Sequence, residues 1–382
     1  GYETTNDYLA ACAEAVLNET SLIPHLNPGC LTADEITKLK PLSGSMGLMV
    51  ESLSSRLNEK GQPHYGSPDK DPIFRMKTLE EAGKQKVPFT TGILIGIGET
   101  RLERLESLQK IAELHRTYNH IQEVIVQNFR AKPNTLMANA SEPSFDELMW
   151  TIAMARLILP GDISLQVPPN LNSDNIKQLS QSGINDFGGI SPVTKDYVNP
   201  EAPWPEIEKL NKIASISNQS LESRSTLYPK YFTDLDNFST PRISSKLLQI
   251  TDSKSLIRSD FWRSGISTKI PSYPEAVFNS SIRQSINKVE NNPSIENIQQ
   301  LLETSDNDFK YVTDYANDVK SQMHGSDITF VVNRNINYTN ICSFKCNFCA
   351  FSKGRGHDDL RGKPYNISHE EIIRRTIEAV ER

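Results

Sequence analysis

Phe89-Thr-Thr-Gly-Ile-Leu-Ile-Gly96, running into Ile97-Gly-Glu-Thr-Arg-Leu-Glu103, decides the fold. Its first half is apolar and rich in β-branched residues, as in a strand buried on both faces. Its second half carries Thr100-x-x-Glu103, a capping box, and Leu102, Leu105, Leu108 and Ala112 follow at helical spacing. A buried strand that passes through a short glycine turn into a capped amphipathic helix is the repeating unit of a parallel α/β sheet.

The same unit recurs on both sides. Upstream, Thr5 to Thr20 is helical with Leu9, Ala13, Val16 and Leu17 on one face. A strand follows at Leu22-Ile-Pro-His-Leu26, then the capping box Thr32-x-x-Glu35 opens a helix to about Lys40, and a second strand spans Met46 to Glu51. Downstream, Ile121 to Phe129 reads as a strand, and Ser144-x-x-Glu147 caps a helix ending near Pro160-Gly161. Strands at Ile163–Val167 and Asp186–Ile190 complete six between Leu22 and Ile190. The alternation fits an open doubly wound sheet or a (β/α)8 barrel that lacks two units.

Beyond Lys212 the chain turns rich in Ser, Asn and Pro. Tyr228-Pro-Lys-Tyr231 and Phe261-Trp-Arg263 are expected to pack back on the first unit, and Ser264 to Asn292 reads as a linker or surface excursion. Helical patterns at Ser294–Thr304 and Phe309–Met323 precede a strand that starts at Ile328. The last helix opens with Ser368-x-x-Glu371 and buries Ile372, Ile373, Ile377 and Val380.

Composition excludes several classes. The 382 residues carry a net charge of −6, with 23% charged and 37% hydrophobic residues, so there is no general basic field and nucleic acid is not an expected partner. No apolar run reaches the roughly 18 residues that span a membrane. No secretory signal is visible, which points to a cytoplasmic or organellar chain. The chain starts at Gly1 without Met and stops at Arg382 inside a helical pattern, and is read as a fragment of a longer polypeptide.

The chemistry is concentrated in Cys342-Ser-Phe-Lys-Cys346-Asn-Phe-Cys349. Three of the five cysteines fall within eight residues, on a loop that follows a strand, whereas Cys12 and Cys30 lie far upstream. That usage favours metal or catalytic thiols in a reducing compartment over a disulfide scaffold. Structural zinc wants four protein ligands, and His357 is the only histidine near the loop. A [4Fe–4S] cluster held by three thiolates leaves one iron open for a small molecule, as the reduction of S-adenosylmethionine requires. The alternative is a zinc-stabilised binding module without chemistry.

The C-x3-C-x2-C spacing with Phe348 before the last cysteine resembles the radical S-adenosylmethionine signature. Val332-Asn-Arg-Asn-Ile-Asn-Tyr-Thr-Asn-Ile-Cys342 and Cys349-Ala-Phe351 resemble the start of the second half of the FO synthase family, bifunctional deazaflavin-forming enzymes. Pro24-His-Leu-Asn-Pro-Gly29, Gly66-Ser-Pro-Asp-Lys-Asp-Pro72, Gly92 to Thr100, Val126-Gln-Asn-Phe-Arg-Ala-Lys-Pro133, Gly189-Ile-Ser-Pro-Val-Thr194 and Val198 to Pro205 resemble its first half. The resemblance covers about Thr5–Tyr228 and Asp327–Arg382.

It implies part of a TIM-type radical S-adenosylmethionine barrel over residues 1–263, the cyclising half. A linker with lead-in helices over 264–324 and the start of a second barrel over 325–382 would follow. The first half's own cysteine loop would precede Gly1, and the piece alone would be inactive. The implied reactions, a transferase and a lyase step, join tyrosine to 5-amino-6-(D-ribitylamino)uracil and cyclise the adduct with loss of ammonia. The product is 7,8-didemethyl-8-hydroxy-5-deazariboflavin, formed through a 5′-deoxyadenosyl radical. Implied cofactors are a [4Fe–4S] cluster on Cys342, Cys346 and Cys349 and S-adenosylmethionine, with an electron donor as partner.

Gly92, Ile95, Gly96 and Glu99 are then candidate S-adenosylmethionine contacts, although a glycine loop is often only a tight turn. Glu51 and Arg56 are either a surface ion pair or, at the carboxyl end of a barrel strand, a clamp on the cofactor's amino and carboxylate groups. Phe348 packs on adenine or fills the core. Candidate substrate contacts are His25, Asn27, Gln127, Asn128, Arg130, Asp186 and Ser191, polar residues at strand ends that need partners if buried. No catalytic residue is assigned. Cys12 reads as an inert core thiol, and Cys30 is unassigned. The cysteine loop is expected to open a separate unit and not to serve Glu51, Gly92 or Arg130. In the alternative, a permuted single barrel, the Ile328 unit completes the first sheet and brings Cys346 to Glu51 and Gly96.

Overall fold

The computed structural model describes residues 2–191, 193–258, 280–301, 306–343, 346, 349, 351 and 364–380. Its strands are β1 (His25–Leu26), β2 (Ser45–Gly47), β3 (Phe89–Ile95), β4 (Ile121–Asn128), β5 (Ser164–Gln166), β6 (Asp186–Ile190), β7 (Ser220–Ser223) and β8 (Asp327–Val332). All pair in parallel, in the order β1-β2-β3-β4-β5-β6-β8-β7. This eight-stranded parallel sheet, with helices between its strands, has the architecture of a partial TIM-type barrel.

The helices are α1 (Thr5–Glu19), α2 (Ala33–Leu39), α3 (Pro72–Lys84), α4 (Arg101–Tyr118), α5 (Phe145–Ile158), α6 (Ile176–Ser180) and α7 (Ile207–Ile216), then α8 (Leu235–Phe238), α9 (Pro241–Ile250), α10 (Ser280–Asn291), α11 (Ile295–Gln299), α12 (Asp306–His324) and α13 (His369–Val380). The Thr32–Glu35 and Thr100–Glu103 capping boxes both form. Ser144 accepts from the Glu147 amide, but the Glu147 carboxylate turns outward to Arg101 and Arg104, so that box is half made. One apolar core joins sheet and helices, including the fully buried Trp150, Phe89 and Ile36. No helix among the described residues is long and apolar enough to cross a membrane.

The central strands match their sequence pattern closely, and the edges do not. β1 is two residues long, because Pro24 has no N–H to donate and Pro28-Gly29 turns the chain away. β2 ends at Gly47, yet the Leu48 amide donates to the Thr90 carbonyl at 3.0 Å and Glu51 rejoins β3 through an isolated bridge to Ile93. Within the stretch expected to be linker, α10 is an amphipathic helix that buries Ile282, Ile286 and Val289 in the main core. Phe261, Trp262 and Arg263 lie outside the described residues. Tyr228 and Tyr231 do pack back, in a second apolar cluster with Leu17, Phe238, Ile243 and Leu247.

The main difference concerns β8. The sequence reading opens a separate unit at Ile328, whereas in the structure β8 lies between β6 and β7, with Asp186 opposite Thr329 and Ser220 opposite Asp327. The pairing is favoured because Ile328 and Phe330 are buried among the helices that cover this sheet. Glycine allows the register to adjust. β6 advances by three positions (Asp186 to Gly189) where β8 advances by two (Thr329 to Val331), and Gly188 takes φ +69° at the irregularity.

Candidate active site

The sheet and its connections enclose a cavity of about 620 Å³. Its wall draws on β1 (His25), β3 (Thr90), β4 (Glu123, Gln127), β5 (Gln166), the residues after β7 (Arg224) and the residues after β8 (Arg334, Tyr338), with Cys12 of α1 and Thr376 of α13. His25 is accessible to water yet surrounded by protein, because what it faces is this cavity. The Ser45 hydroxyl donates to the Thr226 carbonyl at 2.7 Å, so its oxygen receives the His25 Nδ1–H at 2.8 Å. His25 Nε2 is therefore an acceptor. Burial, with Arg224 nearby, pushes the imidazole down to about 4 and keeps it neutral.

At one end of the cavity is a buried charge network. The Arg224 Nε and Nη2 atoms donate to the two Asp186 oxygens at 2.6 and 2.9 Å, and Nη2 reaches Glu123 Oε1 at 3.4 Å. Asp186 also accepts from the Gly188 amide at 2.6 Å and from the Thr329 hydroxyl of β8. The Tyr228 ring lies 3.8 Å from the guanidinium. Gln122 donates to the Thr90 hydroxyl at 3.3 Å, and Thr90 donates to Glu123 at 3.0 Å. A register shift at Phe89/Thr90 lets Gln122 and Glu123, neighbours in β4, both face the interior. Burial pushes Glu123 up to about 7, with Arg224 opposing and Asp186 adding to the rise.

These shifts fix an acid response. Buried His120 donates Nε2–H to the Leu79 carbonyl at 2.8 Å and is held down at about 3, chiefly by burial. Burial and Arg156 hold His324 equally low. Below about pH 6.5 the unfolded chain protonates these imidazoles and His25, whereas the folded chain refuses the protons until pH 4 or 3, so stability is lost as the pH falls. Glu123 acts in the opposite sense, because the folded state takes its proton first, near pH 7. With three protons against one, and the unfolded histidines not yet fully charged at pH 6, the unfolding free energy should drop by roughly 2 kcal/mol per pH unit between pH 6 and 5. Urea titrations across that range test this, and a flat profile would contradict it.

The structure sorts the sequence candidates into three groups. His25, Asn27 and Gln127 line the cavity together. A second group surrounds the β3–α4 loop. Glu51, at φ +65°, pairs with Lys70, with His64 at 3.1 Å and with Arg75 at 3.5 Å. Burial raises its pKa, but these partners outweigh it and hold the carboxyl at about 2. Of the two readings of Glu51 and Arg56, the mutual ion pair does not form. The 3-10 turn at Ser55–Asn58 aims Arg56 at the start of α4, where it meets Glu103 at 2.9 Å and the Gly98 carbonyl at 2.8 Å. Glu99 accepts from the Gly96 and Ile97 amides at 2.7 and 2.9 Å and pairs with Arg104 at 2.8 Å. Gly92 is needed by packing, since a Cβ there would fall 2.8 Å from the Ile125 nitrogen and nearer still to its carbonyl oxygen. Ile95 is fully buried.

The remaining candidates are engaged within the chain. Arg130 pairs with Glu142 at 2.7 Å and donates to the Leu171 carbonyl, Asn128 accepts from Asn172 at 2.9 Å, and Ser191 bonds Thr194. Asp186 belongs to the Arg224 network and does not reach the cavity. Phe348 and His357 lie outside the described residues.

No family model matches the chain. The FO synthase of Nocardia farcinica is 38% identical over 99% of this chain and 50% of its own length, and that of Mycobacterium leprae 37% identical over 99% and 49%. The 7,8-didemethyl-8-hydroxy-5-deazariboflavin synthase of Methanopyrus kandleri is 52% identical over 60% of this chain and 69% of its own length. The chain belongs to the FO synthase family. It spans about half the length of the FO synthases it matches.

In this chain the three loop cysteines are free and partly exposed. The Cys349 amide donates to the Cys346 carbonyl at 3.1 Å. Among the described residues no three His, Cys, Asp or Glu side chains converge on a metal position. Burial pushes the Cys346 thiol up, against the pull of Lys70, and Ser67 lies beside it. Lys70 is also the partner of Glu51, so Cys346 lies near Glu51, which the sequence reading did not expect the loop to serve. Sequence reading missed Glu123, Gln166 and Arg224. The available signal was period two. Glu123, Ile125 and Gln127 share the inner face of β4, and Gln166 lies inward on β5.

Proposed function

We propose that the chain serves deazaflavin cofactor biosynthesis by radical S-adenosylmethionine chemistry, with Cys342, Cys346 and Cys349 holding a [4Fe–4S] cluster. The observation that carries the reading is the position of Cys346 beside Ser67 and Lys70, next to Glu51, on a loop delivered by a strand of the same sheet. The donor set fits in kind: three free thiols on one loop, leaving one iron of a cluster without a protein ligand. Such a cluster, when bound, supplies the electron that cleaves S-adenosylmethionine reductively.

The other tasks fall to the chain's side chains. Glu51, Gly92, Ile95, Gly96 and Glu99 shape the rim proposed for S-adenosylmethionine, with Lys70 and Arg75 balancing the Glu51 charge. Arg56 braces that rim through Glu103. The cavity below takes the ribitylaminouracil and tyrosine portions, with His25, Asn27 and Gln127 as contacts and His25 neutral. An external electron donor is required. The sheet order also supports a second reading, a single barrel assembled from both halves, in which β8 supplies the strand and loop that the first half would otherwise need.

Anaerobic reconstitution with iron and sulfide tests the assignment. It should give a brown protein with thiolate–iron charge-transfer absorption, and Cys346→Ala should abolish the colour without lowering the unfolding midpoint. A colourless protein retaining one tightly bound zinc would overturn it.

A further inference from the structure

Every buried polar atom costs free energy unless it has a partner, and native chains leave few without one. Several such atoms line the cavity. Gln166, 5% exposed, uses its Nε2 to donate to the Phe187 carbonyl at 3.3 Å, which turns Oε1 toward the interior without a partner. Asn170, 4% exposed, is oriented the same way. Its Nδ2 donates to Asp196 at 2.9 Å and to the Ala202 carbonyl at 3.2 Å, and Oδ1 is left unpaired. Both amides are fixed by acceptors on the protein side, so their oxygens are acceptors on the cavity side. Trp204, two residues from Ala202, also lines the cavity, and its Nε1–H is buried and unpartnered. The Thr226 hydroxyl is the fourth unpaired atom of the wall.

The pattern is complementary rather than merely polar. Two acceptors and one donor, carried by neighbouring segments that Asn170 ties together, match a flat group that offers N–H and C=O side by side. We propose that Gln166, Asn170 and Trp204 form the specificity edge of the cavity and read the –NH–CO–NH– edge of a cyclic imide, its two ring N–H groups facing the amide oxygens and the carbonyl between them facing the indole. This deepens the proposed function and rests on it for one step only, the identification of the imide with the pyrimidinedione of 5-amino-6-(D-ribitylamino)uracil. A ligand without the imide would bury these atoms unpaired, so discrimination against it follows from desolvation rather than from shape.

Calorimetric titration of the intact chain under anaerobic conditions decides the point, with two probes, 5-amino-6-(D-ribitylamino)uracil and plain uracil. Gln166→Met should weaken binding of the ribityl compound about tenfold, the equivalent of one lost hydrogen bond. Gln166→Glu keeps an acceptor oxygen and should bind within a few-fold of the parent. Trp204→Phe keeps the ring but not the donor and should lose about as much as Gln166→Met. Gln166→Met also gives up the donor to the Phe187 carbonyl, so Trp204→Phe, whose lost N–H has no partner in the protein, separates recognition from a structural role: its ligand-free unfolding midpoint should not fall. Unchanged affinity in Gln166→Met and Trp204→Phe would overturn the proposal. If uracil binds and responds to Gln166→Met while the ribityl compound does not bind, the edge stands and the substrate reading falls. If neither probe binds the parent chain, the edge falls.

Discussion

Arg224→Met should lower the free energy of unfolding by about 3–5 kcal/mol, the usual cost of removing one partner from a buried ion pair. Arg224 is 3% exposed and stands between two carboxylates, Asp186 at 0% and Glu123 at 6%. Methionine fills much of the same volume, so the loss would come from charge and not from a cavity. It would leave Asp186 facing Glu123 with no cation between them, and Tyr228 without the guanidinium over its ring. Adding Asp186→Asn to Arg224→Met should recover part of the loss, because the most deeply buried charge is then gone. Urea unfolding of the parent, the two single variants and the double variant gives the coupling. A loss below about 1 kcal/mol for Arg224→Met would mean that the network contributes little.

Gly92→Ala is the second large effect. Gly92 is proposed to border S-adenosylmethionine, whereas the structure gives it another task, the close approach of β3 to Ile125 of β4. Backbone on both sides cannot yield as a flexible side chain can, so the sheet must open locally. An expected loss of at least about 3 kcal/mol follows, at the upper end for overpacking. The measurement is the unfolding free energy without any ligand. A variant as stable as its parent that had lost only cofactor binding would assign the glycine to the ligand and not to the sheet.

How much was legible follows from which forces act locally. β3 and β4 could be read because each has an apolar, β-branched stretch bounded by turn residues, and Thr32 and Thr100 marked their helices through boxes that close within four residues. β7 was not seen, because Ser220-Leu-Glu-Ser223 has one apolar residue and is a strand only by virtue of pairing with β8. The partners of Arg56 and Arg130 are set by where α4 and the loop before α5 begin, which no short window contains. Among the cavity residues, His25, Asn27 and Gln127 were found from strand ends, whereas Gln166 and Arg224 needed the sheet order. Arg224 meets Asp186 across 38 residues and Gln122 meets Thr226 across 104.

The position of β8 also bears on how the chain acquires its structure. The Thr329–Asp186 contact closes a loop of 143 residues, and until it forms β7 has no neighbour in the sheet at all. A ribosome would have released most of the sheet before the strand that joins β6 to β7 emerged. Such late, long-range closure raises contact order and slows folding, and it leaves the β6 edge open for pairing with other chains in the interval. Among the described residues the strand latest in sequence is thus an interior strand, and the yield of native protein depends on how long β6 waits for it.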